Sequence, residues 1–354
     1  MINSKQIGFR IWIFGICLGF SFWSLGFSSG TLASTSLDPT MLGMGARALS
    51  MGRSCVANPA DVNSIFVNPA NAAKVKDWAV TSMYTSLLED DIKYTMLGGA
   101  KKARIGSIDG TFALSYMAGM SSGIEPTTKD ADSRVVNNGS NFDYNNSVIN
   151  LVYGQEINKD LSLGGALKLF SKNFSGQASG SGVDMDLGLL YSPQEKLNLG
   201  LAVQNFLPMG LSWSTGAKED VAMLIKAGLD YKINDNLLVL ADANLSPMAL
   251  HAGVEWKPVN MLALRAGLEN VSTGNSIKTT NISAGLGLSF GGAQIDYAYF
   301  KDGNLDANTT HFFTISFQPE VKNIAAIIAP PAEIKAVPAA PKIQKPIKPS
   351  KKKP

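Results

Sequence analysis

The chain has 354 residues, 45% hydrophobic and only 17% charged, with two cysteines, two histidines and a formal net charge of +3. That charge is terminal: residues 319–354 hold eight Lys against two Glu, +6, and Lys5 with Arg10 add +2, so the remainder carries −5. Low charge argues against an ordinary soluble protein, and a negative body gives no support to nucleic-acid binding by the folded part. His251 and His311 cannot build a His-rich metal site, and no Cys-x-x-Cys, phosphate-binding loop or Ser nucleophile elbow occurs. No catalytic residue, metal or cofactor is therefore expected.

At the N-terminus, Lys5 and Arg10 precede an apolar run over 11–27 and the small residues Ser28 to Ala33. This reads as a signal peptide over 1–33, the alternative being an uncleaved anchor. No later segment offers the roughly 18 apolar residues of a spanning helix, so a membrane crossing has to use strands. Cleavage would remove Cys17 and leave Cys55, which excludes an intramolecular disulfide; Cys55 reads as a buried small residue rather than a reactive thiol.

Residues 34–77 are rich in Gly, Ala, Asn and Pro and lack alternation, which predicts a compact irregular unit. Asn58-Pro59 and Asn68-Pro69 are turn formers, because proline fixes φ and asparagine bonds nearby amides.

From Trp78 the period becomes two. Met248, Leu250, Ala252, Val254 and Trp256 share one face of a strand, while Ala249, His251, Gly253 and Glu255 share the other. Similar stretches lie near 78–88, 92–100, 105–118, 146–157, 161–172, 183–192, 196–205, 221–233, 236–244, 248–257, 260–269, 279–290, 293–301 and 308–317, about fourteen in all. The expected fold is all-β: a transmembrane antiparallel up-and-down β-barrel over 78–317, greasy outside and polar inside. Long loops are expected at 119–145, 173–182, 206–220, 270–278 and 302–307, with short turns at 158–160, 192–195, 234–235, 258–259 and 291–292.

The inward set includes Lys168, Asp184, Asp186, Lys226, Asp230, Asp242, His251, Glu255, Arg265, Glu269 and Asp296. Among these, Asp242, His251, Glu255 and Arg265 are expected to form a polar ladder, Glu255 pairing with Arg265 across strands. Such a ladder serves either plain lumen packing or a proton-sensitive gate. The last strand ends on Phe317. Beyond it, 318–354 reads as a disordered Pro/Lys-rich tail closing in Lys351, Lys352 and Lys353. An even strand count puts both termini in the periplasm, where the tail is either a solvated spacer or a contact to peptidoglycan, anionic lipid or a periplasmic partner.

Between Leu42 and Val75, the marks Gly43-x-Gly45-Ala46-Arg47-Ala48, Met51-Gly52, Asp61 and Asn68-Pro69-Ala70 resemble the start of the PorV/PorQ family of outer-membrane barrels, related to the FadL fatty-acid transporters. Later stretches, Leu262 to Gly267 and Gly285 to Tyr299, are similar to that family's late strands. The resemblance implies that 34–77 is a hatch inside the barrel, centred on Asn58, Pro59, Asp61, Asn68, Pro69 and Ala70. It also implies a non-enzymatic surface or secretion-associated platform in the outer membrane, binding a type IX-like translocon and exported cargo through outward loops such as 119–145. The alternative is FadL-like transport of small hydrophobic molecules past Asn68-Pro69-Ala70.

Overall fold

The computed structural model describes residues 39–319 except 43, 88–90, 107, 138, 246–247, 274–276 and 304–308. The expected signal peptide and the Pro/Lys tail with Lys351 to Lys353 lie outside the described residues.

Fourteen strands form the wall: β1 Trp78–Leu87, β2 Ile92–Ile105, β3 Ile108–Ile124, β4 Phe142–Glu156, β5 Leu161–Phe174, β6 Ala178–Gln194, β7 Leu197–Gln204, β8 Leu224–Asn234, β9 Leu237–Leu245, β10 Met248–Val259, β11 Leu262–Thr273, β12 Ile277–Phe290, β13 Ala293–Lys301 and β14 Thr309–Phe317. Each pairs antiparallel with the next, and β14 returns to β1 with Phe317 opposite Val80 and Phe313 opposite Tyr84, so the sheet closes. Closure removes the edges that would leave backbone groups unpaired in lipid.

Alternation decides which way each side chain points. On β10, Met248, Leu250 and Trp256 are 57%, 54% and 50% exposed, whereas Ala249, His251 and Glu255 between them are buried. The same inversion recurs on β12, where Ile282, Leu286, Leu288 and Phe290 are exposed. Apolar outside and charged inside is the reverse of a water-soluble core, and suits a wall facing hydrocarbon. Aromatic pairs stand near both rims. Trp78 lies 5.2 Å from Phe317 and Phe112 5.1 Å from Tyr153 at the short-turn end; Tyr144 stacks on Phe174 at 4.5 Å at the other. These are the positions of interfacial girdles.

The connections differ from expectation in instructive places. Long loops were expected at 173–182 and 270–278, yet β5 and β6 are separated only by 175–177, and β11 and β12 run to Thr273 and from Ile277. Strands continue past the apolar band, where pairing needs no greasy face. The loop expected at 119–145 shrinks for the same reason to 125–141, and carries a hairpin of Thr127–Lys129 with Val135–Asn137. Pro193 and Pro258, read as turn residues, lie inside β6 and β10 beside register shifts at Tyr191/Gln194 and Trp256/Val259. A bulge accommodates the missing N–H.

Leu286→Arg, on the outward face of β12, is expected to destabilise the barrel in a bilayer by about 2–4 kcal/mol. Denaturant titration in lipid vesicles reads this, and unchanged stability there would contradict a lipid-facing wall.

Candidate functional site

The N-terminal segment occupies the lumen. From Met44 to Ala73 every residue is buried apart from Arg53, Pro59 and Ala60. It contains one short helix, α1 Gly45–Leu49, and 3-10 turns at Val62–Phe66 and Pro69–Lys74, preceded by another at Pro39–Met41.

Its shape is fixed by the Asn-Pro and Asp caps. The Asn68 side-chain oxygen accepts from the Ala70 amide at 3.1 Å, with Pro69 at the first position of the turn, where a missing N–H costs nothing. Asn68 Nδ2 donates to the Val56 carbonyl at 2.8 Å and to Leu189 on the wall at 3.1 Å. Asp61 caps the preceding turn by accepting from the Asn63 amide at 2.9 Å, and burial raises its carboxyl pKa against the opposing pull of Arg47. Asn58 Oδ1 accepts from the Ala60 amide at 3.2 Å, and its carbonyl accepts from Ser64. The six residues of the hatch motif thus lie in one folded turn system inside the barrel.

The wall meets this segment with glycines. A Cβ at Gly253 would strike Met51, at Gly267 the Met51–Gly52 backbone, at Gly285 Ser50, at Gly200 Val56 and at Gly188 Asn68. At Gly98 it would lie 2.8 Å from the Phe66 ring. At Gly200, Gly253 and Gly267 the plug backbone packs directly on the wall backbone, and at the others a plug side chain fills the space, approaches that glycine permits.

Polar side chains of the wall finish the seal. The Asp242 carboxylate accepts from the Cys55 and Val56 amides at 2.6 and 2.9 Å. Ser283 accepts from the Gly52 amide at 3.0 Å, and Thr314 from that of Ala46 at 2.8 Å. Gln204 donates to the Val67 carbonyl at 3.0 Å. His251 is 2.8 Å from the Gly52 carbonyl through Nδ1 and 3.0 Å from Asn244 through Nε2, with Glu269 3.6 Å away.

At the centre stands Glu255. Arg47 of α1 donates to both of its oxygens at 2.9 Å, Arg265 donates to it at 2.7 Å, and Arg265 also donates to Asp296 at 2.7 Å. All four are at most 6% exposed. The expected ladder is thereby divided. Glu255 and Arg265 face each other in register, while Asp242 and His251, opposite one another on β9 and β10, turn to the plug backbone. Together they are docking groups for the plug.

A second inward set, on β5 and β6, anchors the loop over 205–223. Lys168 pairs with Asp186 at 2.8 Å, and Asp186 and Asp184 accept from the Asn205 and Leu207 amides at 2.9 and 2.8 Å. Lys226 borders a cavity of about 20 Å³ with Asp242 and His251, room for a single water.

Arg47 is the residue that reasoning from the sequence left without a role. The signal was present: among the described residues, seven buried inward carboxylates on the wall stand against four buried wall cations, Lys168, Lys172, Lys226 and Arg265, an excess of three negative charges that calls for cations from the plug.

The other side of the lumen is apolar. On the long-loop side of the plug, Met83, Tyr94, Met96, Met117, Phe300 and Phe312 are all buried and belong to one cluster with Leu42 and Met44. The Tyr94 hydroxyl donates to the Pro39 carbonyl at 2.9 Å. The lumen is therefore charged along β5 to β13 and oily along β13 to β3.

Cys55 reports on the plug, since it is buried against Asp242 and burial pushes its thiol pKa well up, leaving it inert. Glu255→Gln leaves two buried arginines undercompensated, at a cost of about 3–5 kcal/mol. Alkylation of Cys55 in the folded barrel is then expected to speed up more than about tenfold. An unchanged rate would show that Glu255 does not hold the plug.

The sequence matches no family model and no curated protein. Solved structures share the fold at low identity. The TodX deltaS2S3 mutant monoaromatic hydrocarbon channel aligns over 78% of this chain and 99% of its own, with a TM-score of 0.54 and 13% identity. The Ralstonia pickettii toluene transporter TbuX gives 78% and 99%, TM-score 0.52 and 13% identity. A Pseudomonas aeruginosa FadL homologue gives 78% and 98%, TM-score 0.53 and 12% identity. This chain is thus a closed fourteen-stranded antiparallel barrel with a FadL-like fold.

Proposed function

We propose that the protein is a non-enzymatic outer-membrane channel for small hydrophobic molecules, closed here by its N-terminal hatch. The observation that carries this is the apolar half of the lumen. Met83, Met96 and Met117 of the wall form one buried cluster with Met44 of the hatch and with Tyr94, Phe300 and Phe312. Methionine is flexible and polarizable, so such a surface can repack around a greasy guest, whereas a water-filled pore would be polar on all sides. The structural neighbours named as toluene and monoaromatic hydrocarbon transporters support the same choice.

In this reading the hatch, Leu42 included, fills the path at rest. A hydrophobic molecule enters from the long-loop side, displaces Leu42 and Met44 from the oily wall, and passes once the contacts around Asn68-Pro69-Ala70 loosen. The charged half of the wall keeps hold of the hatch through Glu255 and Asp242, so the hatch moves without leaving the barrel.

A secretion-associated platform is the second reading. It is favoured by the hairpin in the loop over 125–141, where Val135 is 68% exposed. An exported protein or translocon subunit would dock there.

Proteoliposomes containing the full chain are expected to take up radiolabelled toluene several-fold faster than protein-free vesicles. Met117→Glu, which puts a charge on the oily wall, should lower that rate by about tenfold. Uptake at the protein-free rate, or uptake indifferent to Met117→Glu, would overturn the channel reading; crosslinking of exported proteins to the 125–141 loop would support the platform.

A further inference from the structure

The outer face of the wall across β1 to β6 is not evenly convex. It holds a concavity of about 1090 Å³ whose one charged lining residue is Lys101. Pockets that enclose a drug-sized ligand span roughly 300–1,000 Å³, so this is space for a substantial apolar body.

The concavity follows from what lies behind it. Gly98 meets Phe66, Gly154 meets Ala72 and Gly164 meets Pro69, so these strands are drawn in against the plug. The outward floor repeats glycine for another reason. A Cβ at Gly99 or Gly165 would meet nothing nearer than 3.6 or 3.7 Å, so the fold does not demand glycine at either position. Glycine weakens a strand, and a lipid-facing position ordinarily carries an apolar side chain. What these two residues provide is empty space.

The rim has a direction. At the short-turn end Trp78 stands opposite Lys101, Lys101 opposite Phe112, and Phe112 opposite Tyr153. Five cations cluster there, Lys74, Lys76, Lys101, Lys102 and Arg104, against Asp77, Asp109 and Glu156, an excess of two positive charges. Lys101 pairs with Asp77 and Lys76 is exposed, while Lys102 shares the inward face of β2 with Gly98 and Ala100. Greasy floor, aromatic collar and cationic edge follow one another along the membrane normal.

We propose that this concavity is a binding site for one anionic glycerophospholipid, its acyl chains over Gly99 and Gly165 and its phosphate against Lys101 in the field of Lys76. Lysine at the end of a membrane-facing strand snorkels to the interface, where it attracts anionic headgroups. Other occupants fit less well. A two-fold contact with a second copy would set hollow against hollow. The chain's own segment over 319–354 carries +6, the same sign as the rim. The site lies on the outside of the wall and stands apart from the transport path.

Native mass spectrometry of the full chain in mild detergent tests it, with phosphatidylglycerol and phosphatidylcholine offered at equal concentration. The wild type is expected to retain phosphatidylglycerol about fivefold better. The double variant Gly99→Leu, Gly165→Leu fills the floor and should lower that retention more than about tenfold, while Lys101→Gln should remove most of the preference for the anionic lipid. Heat-dependent gel mobility verifies that each barrel is folded, and toluene uptake by the double variant should match the wild type. Unchanged phosphatidylglycerol retention in a folded double variant overturns the proposal. So does equal retention of the two lipids by the wild type, or a second copy of the chain in place of lipid.

Discussion

Glu255 lies between two guanidiniums, and the closed state depends on that arrangement. Among the described residues the wall turns seven buried carboxylates inward against four buried cations, and a barrel interior shielded from water cannot leave such an excess bare. Arg47 enters on α1, meets Glu255 in a two-bonded fork at 2.9 Å, and completes a chain with Arg265 and Asp296. A fork of this kind fixes direction as well as charge, so it sets where α1 lies and how it is turned. Once α1 is placed, Cys55 and Val56 fall against Asp242, and Asn68 against β6. Each contact excludes water from the next, which strengthens the electrostatics that began the sequence.

Charge gives the plug its position, and glycine gives it a fit. Wall positions such as Gly188, Gly253 and Gly267 carry no side chain because the plug backbone occupies that volume. On the side away from the ion pairs the wall is oily, with Met83, Met96 and Met117 facing Met44. The two halves have separate tasks. One fixes the hatch through directional bonds, while the other offers only dispersion and burial, which a hydrophobic guest can replace at little cost. A lumen that was charged all round would hold the hatch and reject the guest, and one that was oily all round would leave the hatch without a register.

Much of the barrel was legible because a strand advertises both faces. Met248 to Trp256 alternates in sequence, and the structure exposes Met248, Leu250, Ala252 and Trp256 and buries Ala249, His251 and Glu255, with Gly253 and Val254 half-buried. Legibility failed where alternation stopped carrying information. Ser179 and Gly180 read as loop because beyond the apolar band a strand needs only backbone partners, which the segment Leu211–Trp213 and β5 supply. Pro193 and Pro258 read as turns because a bulge leaves no mark in composition. Among the polar residues, Glu255 and Arg265 were legible as a pair because both lie on the inward faces of neighbouring strands joined by a short turn. Their link to Arg47 was not, since 208 residues separate Arg47 from Glu255 and α1 has no period of its own. Only the surplus of inward carboxylates pointed toward it. The outward hollow at Gly99 and Gly165 was equally hidden, because a glycine that admits a plug and one that leaves space look alike in sequence.

The N-terminal segment is part of the folded wall's own hydrogen-bond system and does not lie loosely in the lumen. Hydrogen exchange of the Cys55 and Val56 amides, both held by Asp242, measures this directly in the reconstituted wild-type protein. Protection close to that of strand amides in β9 and β10 is expected, because those two amides open only when the wall's charge is uncovered. Exchange at the rate of an unstructured loop, with the strands still protected, would contradict it.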